Sequence, residues 1–152
     1  MASAGDWHTL LLRSDGQVVA CGRNIERQCD LPALDQGMSY TQISAGLYHT
    51  LLLRSDGQAL ACGSEGATPC RIPALDEGMT YSQTSAGHFH TLLLRSDGHA
   101  VACGHNSSGQ CNLPALYQGM TYTQISAGGS FVQVSDHLLL ECSQNEKGTM
   151  FL

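Results

Sequence analysis

Charge is scarce in this chain. Only 13% of its 152 residues are Asp, Glu, Lys or Arg, and 13 acidic residues outnumber 7 basic ones, for a formal net charge of −6. An acidic chain repels a phosphate backbone, so no nucleic acid is expected among its partners. Proline is rare at 4 residues, and the 17 glycines follow no Gly-X-Y period, which excludes collagen and proline-rich linkers. Long apolar runs are missing: Leu10 to Leu12 and its copies are the longest aliphatic stretches, far short of a membrane span. The start, Met1 to His8, has no basic n-region, and the tail, Glu146 to Leu152, has no lipidation box. The expectation is a soluble cytoplasmic or nuclear protein with no membrane partner. Catalytic signatures are missing too. Neither Gly-x-Ser-x-Gly nor Gly-x-x-x-x-Gly-Lys occurs. Carboxylates such as Asp35, Asp76 and Glu77 read as solvated loop positions, not as a paired acid and base. No catalytic residue, metal ligand set or cofactor is therefore expected, and the chain reads as a non-enzyme. Apolar residues, at 42%, are too abundant for a disordered chain and sufficient for the core of one domain.

What the sequence does have is repetition. Ser3-Ala4-Gly5 returns at Ser44, Ser85 and Ser126, each step being 41 residues. His8-Thr9-Leu10-Leu11-Leu12-Arg13-Ser14-Asp15-Gly16 returns unchanged from His49 and from His90. Over the three full units, 23 of 41 positions are identical. The whole chain, 1–152, reads as one repeat domain with units 3–43, 44–84 and 85–125 and a degenerate unit 126–148. In the last, Phe131 stands in place of the repeated His and Cys142 in place of Cys21, Cys62 and Cys103.

Each unit has the grammar of a small antiparallel sheet. Tyr40 to Ala45 is β-branched and aromatic, and predicts a strand. His49 to Arg54 is an apolar run stopped by Ser55-Asp56-Gly57, a strong hairpin signal because Gly accepts the positive φ of the turn. Gln58 to Cys62 is the returning strand, and the Pro-containing Cys70 to Leu75 could add a short fourth. The first unit lacks the Tyr-Thr-Gln-Ile segment, so a C-terminal strand could be shared with it in a closing blade. A period near 40–45 residues with three or four strands marks a propeller blade. The fold expectation is all-β, a partial β-propeller of about three and a half to four blades with three to four antiparallel strands each.

Gly-x-x-His-Thr-Leu-Leu-Leu-Arg-Ser-Asp-Gly-Gln-x-x-Ala-Cys-Gly-x-Asn-x-x-Gly-Gln-Cys, seen best from Gly87 to Cys111, resembles the repeat of the regulator of chromosome condensation family. The short spacing is closer to compact bacterial members, and cysteine replaces the family's usual Trp at Cys21, Cys62 and Cys103. The resemblance implies a seven-bladed propeller, of which this chain would hold about half. It also implies two alternative activities: nucleotide exchange on a Ran-type small GTPase, or the substrate-recognition portion of a HECT-type ubiquitin ligase. The exchange activity uses a wedge inserted outside the repeat, and no insertion breaks the 41-residue step here.

The repeated His8, His49 and His90 read as structural groups that bond a neighbouring blade's backbone. Ala-Cys-Gly is expected where blades converge on the axis and only small side chains fit. A within-blade disulfide, Cys21 with Cys29 and its copies, is the other reading of the eight-residue cysteine step. Functional information should lie where units differ: the pair before the repeated His, and the loop after Ala-Cys-Gly. The first set offers Trp7, Tyr48 and Phe89, with Asp6 and His88 as a polar rim. Aromatics rimmed by polar groups suit protein binding, and packing between blades is the other reading. These five residues are the expected contact set for a protein partner. The open ring leaves a sticky edge at each end. It could be completed by a second copy, belong to a longer gene product, or persist as an arc.

Overall fold

A computed structural model describes residues 1–64 and 70–129, together with the backbone of 132–135 and 139–140. It contains twelve strands in four three-stranded antiparallel sheets, each ordered as in the chain. The first sheet is β1 (Ala2–Ala4), β2 (His8–Leu12) and β3 (Val18–Gly22). The second is β4 (Tyr40–Ala45), β5 (His49–Arg54) and β6 (Ala59–Gly63). The third is β7 (Tyr81–Ala86), β8 (His90–Arg95) and β9 (Ala100–Gly104), and the fourth is β10 (Gln124–Ala127), β11 (Val132–Ser135) and β12 (Leu139–Leu140). In the first three sheets, consecutive strands pair antiparallel as hairpins. The chain is a partial β-propeller. No helix among the described residues is long and apolar enough to cross a membrane. Most of the unit read as 126–148, including Phe131 and Cys142, lies outside the described residues.

The Arg-Ser-Asp-Gly turn both reverses the chain and joins blades. Gly57 sits at φ 80°, and its N–H donates to the Arg54 carbonyl at 2.9 Å. The Asp56 carboxylate accepts the Gln58 N–H and pairs with the Arg54 guanidinium, which holds its pKa down to about 2. The Gly57 carbonyl then accepts the N–H of Tyr81, the first residue of the next blade, at 2.8 Å. Gly16 does the same for Tyr40, and Gly98 for Tyr122.

The core lies between sheets. Leu10 of the first blade packs on Tyr40, Ile43, Ala45 and Leu52 of the second. Leu53, Ala59, Tyr81 and Leu93 fill the next gap, and Leu92, Leu94, Tyr122 and Ile125 the third. A middle blade is therefore buried on both faces. Every residue from His49 to Leu53 and from His90 to Leu94 is accordingly buried, with no alternation along β5 or β8. The Pro-containing segment forms no fourth strand in the units described throughout. Its apolar residues Leu31 and Leu34 enter the core, and the hydroxyl of Tyr40 donates to the Pro32 carbonyl at 2.8 Å. Tyr81 does the same for Pro73 at 2.9 Å.

Three expectations need correction. First, β1 gives the first blade its own inner strand, with Ala2 opposite Leu11 and Ala4 opposite Thr9, so no strand is missing from it. Second, the cysteines of Ala-Cys-Gly are on the third strands, away from the axis. The strands that run side by side from blade to blade are the first ones, joined through serine: Ser3 Oγ accepts from Ala45 N–H, Ser44 from Ala86, and Ser85 from Ala127, at 2.9–3.0 Å. The six described cysteines are free thiols. Third, His8 and His49 bond a side chain of the neighbouring blade and not its backbone. His8 Nε2 lies 2.8 Å from Thr50 Oγ1, and Thr50 Oγ1 donates to the Gln28 carbonyl at 2.7 Å. The hydroxyl has one proton, so it accepts from His8, which must carry its own proton on Nε2. His49 Nε2 repeats the contact with Thr91 at 3.2 Å.

Candidate functional site

Among the described residues, the pairs before the repeated His and the start of the loops after Ala-Cys-Gly form a single surface. Asp6-Trp7, Leu47-Tyr48 and His88-Phe89 are the two central residues of equivalent turns between first and second strands. Gly5 N–H donates to the His8 carbonyl, Gly46 to His49, and Gly87 to His90, each at 2.9 Å. Such a turn has no room to bury its central side chains, so they project. The loop after Ala-Cys-Gly is tied to the same turn: Arg23 N–H donates to the Trp7 carbonyl, Ser64 to Tyr48, and His105 to Phe89, at 2.8–3.1 Å. Gly22 makes the approach possible. It sits at φ 117°, and a Cβ there would lie 2.6 Å from the Trp7 carbonyl oxygen.

The result is a ladder of rings across three blades. Trp7 is 51% exposed and Phe89 44%. The Arg23 guanidinium lies between Trp7 and Tyr48, 5.8 Å and 5.5 Å from their ring centroids, within cation–π range. Tyr48 and Phe89 are 5.9 Å apart and tilted by 51°. Phe89 continues edge-on to His88 at 6.4 Å and to His105 at 6.2 Å. Asp6 Oδ1 reaches His88 Nε2 at 3.4 Å, so a turn of the first blade meets a turn of the third. Of the expected residues, Trp7, Tyr48, Phe89, Asp6 and His88 all belong to this one cluster. Half-buried Tyr48 packs between Arg23 of the first blade and Phe89 of the third.

Arg23 and His105 are members that residue type alone did not single out, though both open the variable loop. The signal was their place just after Ala-Cys-Gly, which the loop hydrogen bond converts into adjacency to a ring. The loop itself is tied by its own side chains. Asn106 Oδ1 accepts Cys111 N–H at 2.7 Å, and Gln110 Nε2 donates to His105 Nδ1 at 3.0 Å. That bond leaves the His105 proton on Nε2. Asn24 holds the matching loop of the first blade, accepting Cys29 N–H at 2.8 Å.

Burial and the neighbouring Cys70 push the Cys62 thiol up to about 12, and burial pushes Cys103 up to about 11, so neither is a thiolate nucleophile near neutral pH. Burial, then the charges of His90 and His8, lowers His49 to about 4, so it stays neutral. Among the described residues, no group of three or more His, Cys, Asp or Glu side chains is placed to hold a metal ion.

The model of the regulator of chromosome condensation (RCC1) repeat matches residues 2–28, 40–66 and 81–110. The chain belongs to this family. No curated protein matches it significantly as a whole, but solved structures place the RCC1 repeats in their fold. Human WBSCR16 is similar with a TM-score of 0.75 and 20% identity, over 89% of this chain and 45% of that one. Prp20p from Saccharomyces cerevisiae, a structure described with its binding to Gsp1p and histones, gives 0.71 and 18%, over 88% and 42%. The CRINKLY WD40 ectodomain of the Arabidopsis thaliana receptor kinase ACR4 gives 0.67 and 21%, over 91% and 49%. The chain thus spans less than half the length of these RCC1-like and WD40 structures.

Proposed function

We propose that this RCC1-repeat chain is a non-catalytic module that binds a protein partner through the ladder running from Trp7 to His105. The observation that carries this reading is the half-exposed Trp7 and Phe89, bridged by Arg23 and Tyr48 into one patch. Large rings in fixed positions lose little side-chain entropy on binding, and Trp, Tyr and Arg are the residue types that dominate interface hot spots. Asp6, His88 and Glu26, the last paired with Arg23 at 3.7 Å, supply a polar rim that can orient a partner.

Affinity capture with the wild-type chain and with Trp7→Ala and Phe89→Ala tests this. Partners retained by the wild type should be lost or at least tenfold depleted on the variants, while thermal melting stays near the wild-type value. Unchanged capture by both variants removes the reading. Exchange on a Ran-type GTPase is the second reading, favoured by the likeness to Prp20p. A nucleotide-release assay separates it, because a pure binding module leaves the release rate at its intrinsic value.

A further inference from the structure

The blade-to-blade interface has a giving side and a receiving side, and the chain presents one of each unused. On the giving side, the inner strand of one blade offers a glutamine and a serine. Gln42 Oε1 accepts Thr84 N–H at 3.3 Å, and Gln83 Oε1 accepts Ile125 N–H at 3.2 Å. Ser44 and Ser85 accept from Ala86 and Ala127, at 2.9 Å each. The same positions in the fourth blade are Gln124 and Ser126, and both are exposed. On the receiving side, the groups equivalent to Thr84 N–H and Ala86 N–H are those of Ala2 and Ala4, also on exposed residues.

The apolar part of that receiving face is bare as well. Leu52 and Leu93 are 0% exposed because the preceding blade covers them, whereas Leu11, their counterpart, is 45% exposed and Val19 beside it on β3 is 46%. Leu11 pairs with Val19 across β2 and β3, so the two form one patch. Thr50 and Thr91 are fully buried, and Thr9 is only half-buried. The groups that a preceding blade seals in the second and third sheets are thus more open in the first.

We infer that the leading face of the first blade is a docking face for the fourth blade of a second copy of this chain, with Gln124 and Ser126 of one copy capping Ala2 N–H and Ala4 N–H of the other. The interface is the one already built three times inside the chain, continued between molecules. It is head-to-tail, and two copies close on each other when the arc of each turns through half a circle, where an unclosed version would grow into a filament. Two copies supply eight sheets, within the range of closed propellers. The fourth blade carries Phe131 in place of the repeated His, so the contact forms without the His–Thr bond.

Light scattering on the 152-residue chain should give a particle of twice 16.2 kDa at micromolar concentration. Leu11→Glu breaks the receiving face and Ser126→Arg the giving face. Each variant alone should run as a monomer while keeping the wild-type strand signal in circular dichroism. Mixed in equal amounts, they should form a dimer, because the intact giving face of one meets the intact receiving face of the other. Rescue on mixing also proves that both variants are folded. Val19→Lys, which blocks the receiving face from a second position, should behave as Leu11→Glu does. A monomeric wild type, open polymers, variants that stay dimeric, or variants that mixing does not rescue would each overturn the proposal.

Discussion

The first and second blades share the nine-residue segment His8–Gly16 and His49–Gly57 without a change, yet the two segments live in different surroundings. Leu11 is nearly half exposed, and Leu52 is sealed between two sheets. Thr9 is half-buried, and Thr50 relays a hydrogen bond from His8 to the Gln28 carbonyl. Identical residues therefore do different work according to whether a blade precedes them. Stability in such a stack is mostly a property of interfaces between neighbours and only partly of the repeat itself.

The comparison can be broken most forcefully in the core. Leu52→Ala should cost about 2–5 kcal/mol in chemical denaturation, since the side chain is fully enclosed. Leu11→Ala, measured in the Val19→Lys background that keeps copies apart, should cost less than about 1 kcal/mol. Equal losses at the two sites would show that the blades are not distinguished by their neighbours.

Acid sharpens the same contrast. His49 has a folded-state pKa of about 4, below the 6.5 of an unfolded histidine, because it is buried and faces His90 and His8. Above pH 6.5 both states hold it neutral, and it adds no pH dependence. Between pH 6.5 and about 4 the unfolded state takes up the proton first, so stability falls as pH falls, by about 3 kcal/mol in all. Below that window the group adds nothing further. His8, at the less enclosed first blade, is lowered by burial alone. Melting curves across this range should flatten more for His49→Gln than for His8→Gln.

The smallest expected effect lies in the loops. Arg27 occupies the left-handed region at φ 62°, where the third unit has Gly109 at φ 76°. A side chain in that conformation costs about 1 kcal/mol. Arg27→Gly should therefore raise the denaturation midpoint slightly, and Gly109→Arg should lower it by a similar amount.

Much of this molecule was legible before any coordinates. The 41-residue step, the Ser-Asp-Gly turn and the Tyr40–Ala45 type of strand located three strands per unit, because hairpins are set by neighbouring residues. Trp7, Tyr48, Phe89, Asp6 and His88 were recognisable as variable positions on a constant frame, since equivalent turns of a propeller open on one side. Three features were not legible. Arg23 reaches the rings through its bond to the Trp7 carbonyl, made where His8 pairs with Gly22 at the open end of a hairpin. The His8 ring finds its partner in Thr50, a residue of another blade. Cys21, Cys62 and Cys103 fall on outer strands, and nothing in Ala-Cys-Gly says which strand of a sheet faces the axis.

By itself the sequence determined the period, the strands, the turns and the family, all of which depend on short-range sterics and on the spacing of apolar residues. Only the tertiary structure decided which copy of a repeated leucine is sealed and which is bare, and which variable residues meet. Those outcomes depend on stacking one sheet on the next, and a residue carries no mark of the neighbour that will cover it.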